Sequence, residues 1–373
     1  CRQKHSETMR TEFRFQKMST KMKKENTSYD VKTGHYLVGN QGIYKVCEFL
    51  GQGGYGKVAK CSKLGSHGFF AIKIIKNVAN GKKEHEAMKL IQHLDPDKYN
   101  LLKLYECFTF QDVICLVYEV LEENLLDRMS RNDLEPTHLC KIRALAQQMF
   151  QALSGLKSSG VVHGDIKLDN IMFVDEESMK IKLIDFGLTR KAKELVTGSN
   201  AQIIPFRAPE VILGLPMDES IDMWALGVVL AVVYRGDFPF PGDTEYETIR
   251  GMVQIFGKYT AHFFTRDEDT FNDLLKRLLE VNPKKRITPS QALAHDFITM
   301  KHLSGESKAS YAATAKNIMR KIHIKDVKVD PPAPLDTDLI GTSNEGQEIP
   351  VVDVSTADTT DMNEACPAAR NSM

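Results

Sequence analysis

The chain has 373 residues, with 49 Lys+Arg against 49 Asp+Glu, 42% hydrophobic and 26% charged residues. At about 100–200 residues per domain, that length suggests two or three compact units plus tails. The composition excludes collagen-like, disulfide-scaffold and wholly disordered chains, and the charge balance excludes a uniformly basic surface for nucleic acid or anionic lipid.

In chain order, residues 1–28 set eight basic side chains against three acids. They read as a solvated, flexible arm that runs on to residue 43, with nuclear import or nucleic-acid contact as the sharper alternative. Alternating apolar and polar residues predict strands at Tyr44–Leu50, Lys57–Ser62 and Phe69–Ile75. A helix follows at Lys82–Leu94, then strands at Leu102–Phe110 and Val113–Val120. Leu139, Ile142, Leu145, Met149, Leu153 and Leu156 fall at helical spacing and predict a helix over Thr137–Ser159. Further helices fit Asp218–Tyr234, Glu245–Ile255, Phe271–Val281 and Pro289–His295. A tail starts at residue 299. From about Val329 it holds nine acids and a single Arg370 without periodicity, and reads as disordered. A sheet-rich first part joined to a helical second part implies two unequal lobes with a cleft between them.

The seven cysteines are scattered without a C-x-x-C pair, so neither a zinc site nor a disulfide framework is expected, and a reducing compartment is the expected home. The longest apolar run, Met223–Tyr234, falls short of the roughly 20 residues of a membrane span and reads as a buried helix. No signal-peptide stretch is visible. The chain starts at Cys1 rather than Met, which points to missing N-terminal sequence.

Five motifs carry chemistry. Gly51-Gln52-Gly53-Gly54-Tyr55-Gly56-Lys57-Val58 fits G-x-G-x-x-G-x-V between two strands, where glycines let backbone approach phosphates. A dinucleotide site needs a helix directly after its glycines, and Lys57–Ser62 reads as a strand. Phe70-Ala71-Ile72-Lys73 ends an apolar strand on one ammonium. His163-Gly164-Asp165-Ile166-Lys167-Leu168-Asp169-Asn170 brings an acceptor carboxylate, a cation and a metal-ligating amide into one short loop. Asp185-Phe186-Gly187 puts a carboxylate suited to Mg²⁺ after a buried strand. Finally, Ala208-Pro209-Glu210, Asp222 and Arg286 suggest a buried Glu210–Arg286 ion pair and a brace from Asp222 to the catalytic loop.

In this order the five resemble the protein-kinase signature over Tyr44–Ile298. Cys115-Leu116-Val117-Tyr118-Glu119, Ile212-Leu213-Gly214-Leu215-Pro216 and His295-Asp296-Phe297-Ile298-Thr299-Met300 narrow the resemblance to the homeodomain-interacting protein kinases. It implies an α+β, two-lobed fold: a small antiparallel-sheet lobe with one helix over about 44–120, a larger mainly helical lobe over about 121–298, and disordered tails. It further implies a Mg²⁺- and ATP-dependent Ser/Thr kinase, with protein substrates that include transcription factors, in the nucleus or cytoplasm. No membrane partner and no direct nucleic-acid contact is expected, and the sequence sets no oligomeric state. A kinase-fold scaffold that binds nucleotide without useful turnover is the alternative.

By the same resemblance, Asp165 accepts the substrate hydroxyl proton and Lys167 neutralises the transferring phosphoryl. Asn170 and Asp185 hold Mg²⁺, and Lys73 pairs with the nucleotide phosphates. Val58, Ala71 and Met172 enclose the adenine, Glu119 and Leu121 offer it backbone hydrogen bonds beside Tyr118, and Leu50 to Lys57 cover the phosphates. Four features depart from the family pattern. Gly164 stands where many kinases have Arg. No tyrosine lies between Asp185 and Glu210, and Asn200 occupies its place, with Thr197 and Ser199 as the remaining phosphosites. The segment from Gly257 to Phe271 is short. The helix glutamate that should meet Lys73 falls at Ala87 in the apolar register, so Glu86 is the expected partner and Glu84 the more distant candidate.

Overall fold

The strand-rich first part of the chain forms a six-stranded antiparallel sheet in the computed structural model. The structure describes residues 30–53, 56–175, 177–199, 201–241, 244–256, 265–304 and 309–322. The strands are β1 (Tyr36–Val38), β2 (Ile43–Gly53), β3 (Gly56–Lys63), β4 (Phe69–Ile75), β5 (Leu104–Phe110) and β6 (Val113–Tyr118), in the order β1-β2-β3-β4-β6-β5. Helix α1 (Val78–Ile91) interrupts them, capped by the Asn77 side chain, which accepts from Asn80 N.

Period-two alternation decides which way each side chain faces. On β4, Ile72 and Ile74 join a small core with Leu37, Tyr44, Val46 and Phe108, while Ala71 and Ile75 face the main core and the cleft. Strand β6 is buried on both faces, which is why Val113-Ile114-Cys115-Leu116-Val117-Tyr118 reads as an unbroken apolar run.

The sheet also takes in residues that the sequence placed in a flexible arm. Val31 is buried, Asp30 pairs with Lys57 and Lys76, and β1 zips onto β2. A three-residue strand is too short to show a period.

The second part is helical: α2 (Leu125–Arg131), α3 (Leu139–Ser158), α4 (Pro209–Ile212), α5 (Ser220–Arg235), α6 (Glu245–Phe256), α7 (Arg266–Leu278), α8 (Pro289–Leu293), α9 (Asp296–Thr299) and α10 (Ala309–Lys321). Short strand pairs β7 (Val161–Val162) with β10 (Arg190–Lys191), and β8 (Ile171–Phe173) with β9 (Ile181–Leu183), carry the motif loops. Every residue of α5 from Ile221 to Val233 is buried, so its apolar run is the centre of the large lobe. Among the described residues, no helix is long and apolar enough to cross a membrane. Gly236 ends α5 at φ +80, and a Cβ there would lie 2.1 Å from Leu134 O.

Helix α7 starts at Arg266, ahead of the expected Phe271. Its first turn is charged and hides from an apolar-period reading, but Thr265 and Glu268 form a reciprocal capping box. Past Ile298, residues 299–304 and α10 (309–321) are also structured. Tyr311 Oη donates to Asp267 Oδ2 at 2.5 Å, and Asp267 Oδ1 also meets Arg143 and His302. Burial pushes the Asp267 carboxyl up, but these donors outweigh it and hold it below the usual range. Residues 1–29, Gly54, Tyr55, Asn200, the short segment 257–264 and the tail from residue 323 lie outside the described residues.

Candidate active site

Between the lobes lies a cavity of about 310 Å³, lined by Leu50, Gly51, Val58, Ala71, Leu121 and Met172 on its apolar walls, with Lys73, Glu84 and Asp185 at its polar end. Gly56, Leu102, Tyr118, Glu119 and Ile184 complete the lining. A larger cavity of about 690 Å³ near Asp273 and His295 is lined by none of the residues of the five chemical motifs; Gly51, Gly56, Val58, Ala71, Lys73 and Asp185 of those motifs line the smaller one.

The glycine hairpin forms its roof. Gly53 pairs with Gly56 and Gln52 with Lys57 across β2 and β3. Gly56 has no alternative: a Cβ there would sit 2.3 Å from Ile74 O. Lys57 is a correction. Its neighbour Val58 faces the cavity, so alternation turns Lys57 away, and its ammonium pairs with Asp30 at 3.0 Å.

At the polar end, Lys73 Nζ donates to Glu84 Oε1 and Oε2 at 2.9 and 2.8 Å and to Asp185 Oδ1 at 2.9 Å. Burial pulls the Lys73 pKa down, but the Asp185 and Glu84 charges outweigh it and leave it raised. Burial pushes Asp185 up, and Lys73 more than reverses that. Both groups are therefore held charged. Asp185 adopts the left-handed conformation, φ 60 and ψ 80, with its side chain accepting from Gly187 N. A non-glycine residue in this region carries a strain cost of order 1–3 kcal/mol, and such outliers cluster at functional sites.

Glu86, the expected partner of Lys73, does not reach it. It lies roughly 200° around α1 from Glu84, is exposed, and pairs with Lys89 at 2.9 Å. Glu84 shares the buried face with Ala87, Met88 and Ile91. The tyrosine hydroxyl of Tyr118 donates to Glu84 Oε1 at 3.0 Å. Burial and the Glu84 carboxylate push that hydroxyl well above the usual tyrosine range, so it acts as a donor.

The loop after β7 is braced from below. Asp222 on α5 accepts from His163 N at 2.7 Å and Gly164 N at 2.9 Å, as expected. Burial pushes the Asp222 carboxyl up, partly offset by His163 and the two N–H groups. His163 Nε2 lies 3.0 Å from Ile184 O, and Asp165 N donates to His163 Nδ1 at 3.2 Å. A carbonyl only accepts, so the imidazole carries its proton on Nε2. Gly164 takes φ +78, a conformation in which any side chain would be strained.

That frame presents Asp165. Its Oδ2 accepts from Asn170 Nδ2 at 2.9 Å and pairs with Lys167 Nζ at 2.9 Å, and its main-chain oxygen takes a second bond from Asn170 at 2.8 Å. Asn170's amide nitrogen is thus committed, which leaves its side-chain oxygen as the ligand end. Asn170 and Asp185 together supply hard oxygen donors of the kind Mg²⁺ takes, and Mg²⁺ commonly completes its shell with phosphates and water. Among the described residues, no group of three His, Cys, Asp or Glu forms a metal cluster by itself.

At the back of the cavity, Glu119 spends its N–H on Lys103 O at 3.3 Å. Its carboxylate takes Lys103 N at 2.7 Å and the buried Lys182 Nζ at 2.6 Å. With N–H and side chain engaged, the group Glu119 can offer a ligand is its main-chain oxygen. Glu84, the Tyr118 hydroxyl and Lys182 are the parts that motif spacing missed. The available hint for Glu84 was Gly81, a glycine inside a helix, which signals close packing at that level.

The protein kinase domain family matches residues 44–298. Homeodomain-interacting protein kinase 2 of Mesocricetus auratus is 34% identical over 349 residues, covering 74% of this chain and 30% of that protein. Homeodomain-interacting protein kinase 1 of Caenorhabditis elegans is 32% identical over 363 residues, covering 75% of this chain and 43% of that protein. The chain thus spans less than half the length of either relative. A solved crystal structure of a kinase domain shares the fold, with a TM-score of 0.63 at 24% identity, over 72% of this chain and 98% of that one. A site of this geometry inside a match of this extent identifies the chain as a member of the protein kinase family.

Proposed function

We propose that the chain is a Mg²⁺- and ATP-dependent protein kinase that transfers the γ-phosphate of ATP to Ser or Thr of protein substrates. The observation that carries this reading is one set of contacts: Lys73 held charged between Glu84 and Asp185, with Asp165, Lys167 and Asn170 joined across the cleft floor. Phosphoryl transfer needs little covalent work from a protein, so placing charge and aligning groups supply most of the rate. Bound Mg²⁺ would neutralise phosphate charge, held by Asn170 and Asp185. Lys73 orients the phosphates, Asp165 Oδ1 or Oδ2 accepts the hydroxyl proton, and Lys167 balances charge beside it. Val58, Ala71 and Met172 enclose the adenine, which the Glu119 oxygen and the Leu121 backbone recognise. The Lys73–Glu84 pair favours turnover over a silent scaffold. The test is phosphate transfer from Mg-ATP to a basic protein substrate, with Asp165→Asn alongside; equal incorporation in both would sink the reading.

Two finer points follow from the site and its relatives. Arg207 Nε and Nη2 donate to Gln202 O at 3.1 and 2.6 Å, with Gln202 at φ +63. That carbonyl is occupied, so a substrate residue following the phosphoacceptor finds no acceptor there for its N–H. Proline has no N–H to leave unpaired, and we expect Ser/Thr-Pro peptides to be preferred. A peptide array without enrichment of proline at that position rejects this. The relatives' name points to homeodomain proteins as partners, and we place the chain's substrates among transcription factors in the nucleus. A tagged chain that stays out of nuclei and leaves homeodomain proteins unlabelled would contradict it.

A further inference from the structure

Helix α1 presents Gly81, Glu84, Ala87, Met88 and Ile91 on its buried face. Ala87, Met88 and Ile91 follow Glu84 by three, four and seven residues and join the main core, so Glu84 is the polar end of that face and the carboxylate that meets Lys73. A buried carboxylate there needs the helix close to the sheet and is held best with a second donor beside Lys73. Both are present. A Cβ on Gly81 would lie 2.8 Å from Ile114 Cβ, so the missing side chain lets α1 close on β6 one turn before Glu84. Mid-helix glycine is otherwise unfavourable. Tyr118 closes β6 directly across from Ala71, on the face that carries Lys73, and its hydroxyl reaches Glu84 Oε1 at 3.0 Å while Lys73 holds both carboxylate oxygens. Tyr118 and Glu84 are 5% and 3% exposed, so water does not compete for the bond.

We propose that Tyr118 is a positioning residue: its hydroxyl fixes Glu84, which in turn fixes Lys73, with Gly81 providing the approach. The proposal rests on the kinase reading for its kinetic arm alone. In the full chain, Tyr118→Phe should lower kcat about tenfold, as expected for loss of a hydrogen bond to a charged group, with KM for ATP within about twofold of the parent and thermal stability retained. Unchanged kcat overturns the proposal. So does a raised KM for ATP at constant kcat, which would put the hydroxyl on the nucleotide instead.

Hydrogen–deuterium exchange across residues 81–91 reads the same bond without turnover. Faster exchange in Tyr118→Phe supports the proposal, and unchanged exchange overturns it even in a chain that transfers no phosphate, whereas such a chain overturns the kinase reading alone. Should Tyr118→Phe not fold, Gly81→Ala must give the same pairing of lower kcat and faster exchange, and a Gly81→Ala chain with parental values overturns the proposal.

Discussion

Asp165→Asn should lower kcat by about 10²–10⁴-fold, the usual contribution of a positioned proton acceptor, and should leave the thermal shift by Mg-ATP in place. The amide keeps the size of the carboxylate and one acceptor oxygen for Asn170, so the loop stays framed. Its brace runs from Asp222 to the main chain of His163 and Gly164, which the substitution does not touch. What disappears is the negative charge beside Lys167 and the basic lone pair. Steady-state transfer kinetics, run beside a Mg-ATP melting curve, separate the two effects. A parental kcat in the variant would remove Asp165 from proton transfer, and a lost thermal shift would show that the site itself had collapsed.

Glu210→Ala is the largest expected loss of stability. Arg286 Nη1 and Nη2 donate to Glu210 Oε1 and Oε2 at 2.6 and 2.9 Å, with side chains 0% and 1% exposed. The guanidinium also bonds Ser220 O and Glu280 O and lies 5.2 Å from the Trp224 ring. Removing the carboxylate strands a buried cation, at a cost of about 3–5 kcal/mol. Against a typical total of about 5–15 kcal/mol, that is enough to unfold much of the population at modest denaturant. The pair itself is a different matter, because taking two charges out of water offsets most of their attraction. Glu210→Ala combined with Arg286→Met should therefore cost less than Glu210→Ala alone. Denaturant melts of the two variants decide it: a double variant no more stable than the single would mean that the pair's geometry, and not the stranded charge, sets the loss.

Much of this was legible before any coordinates. Strand Phe69–Ile75 and helix Leu139–Ser158 lie within a residue or two of their periodic patterns. The Asp222 brace and the Glu210–Arg286 pair formed as their types and spacing implied. The missed elements share a cause. Residues 36–38 are too few to show a period, and the first turn of α7 carries its start signal in caps rather than apolar residues.

The sequence by itself determined the chemistry of the site. The identity and order of Asp165, Lys167, Asn170 and Asp185, to which we assign the chemistry, are written locally, in loops a few residues long between short apolar strands. Only the tertiary structure decided which glutamate meets Lys73. Glu84 and Glu86 are alike in type and close in sequence, but α1 turns one toward the sheet and the other to solvent. The selection depends on the depth at which the helix lies against β6, which Gly81 and Ile114 set across 33 residues of chain. A contact between two surfaces, unlike a motif, leaves no spacing in either segment alone.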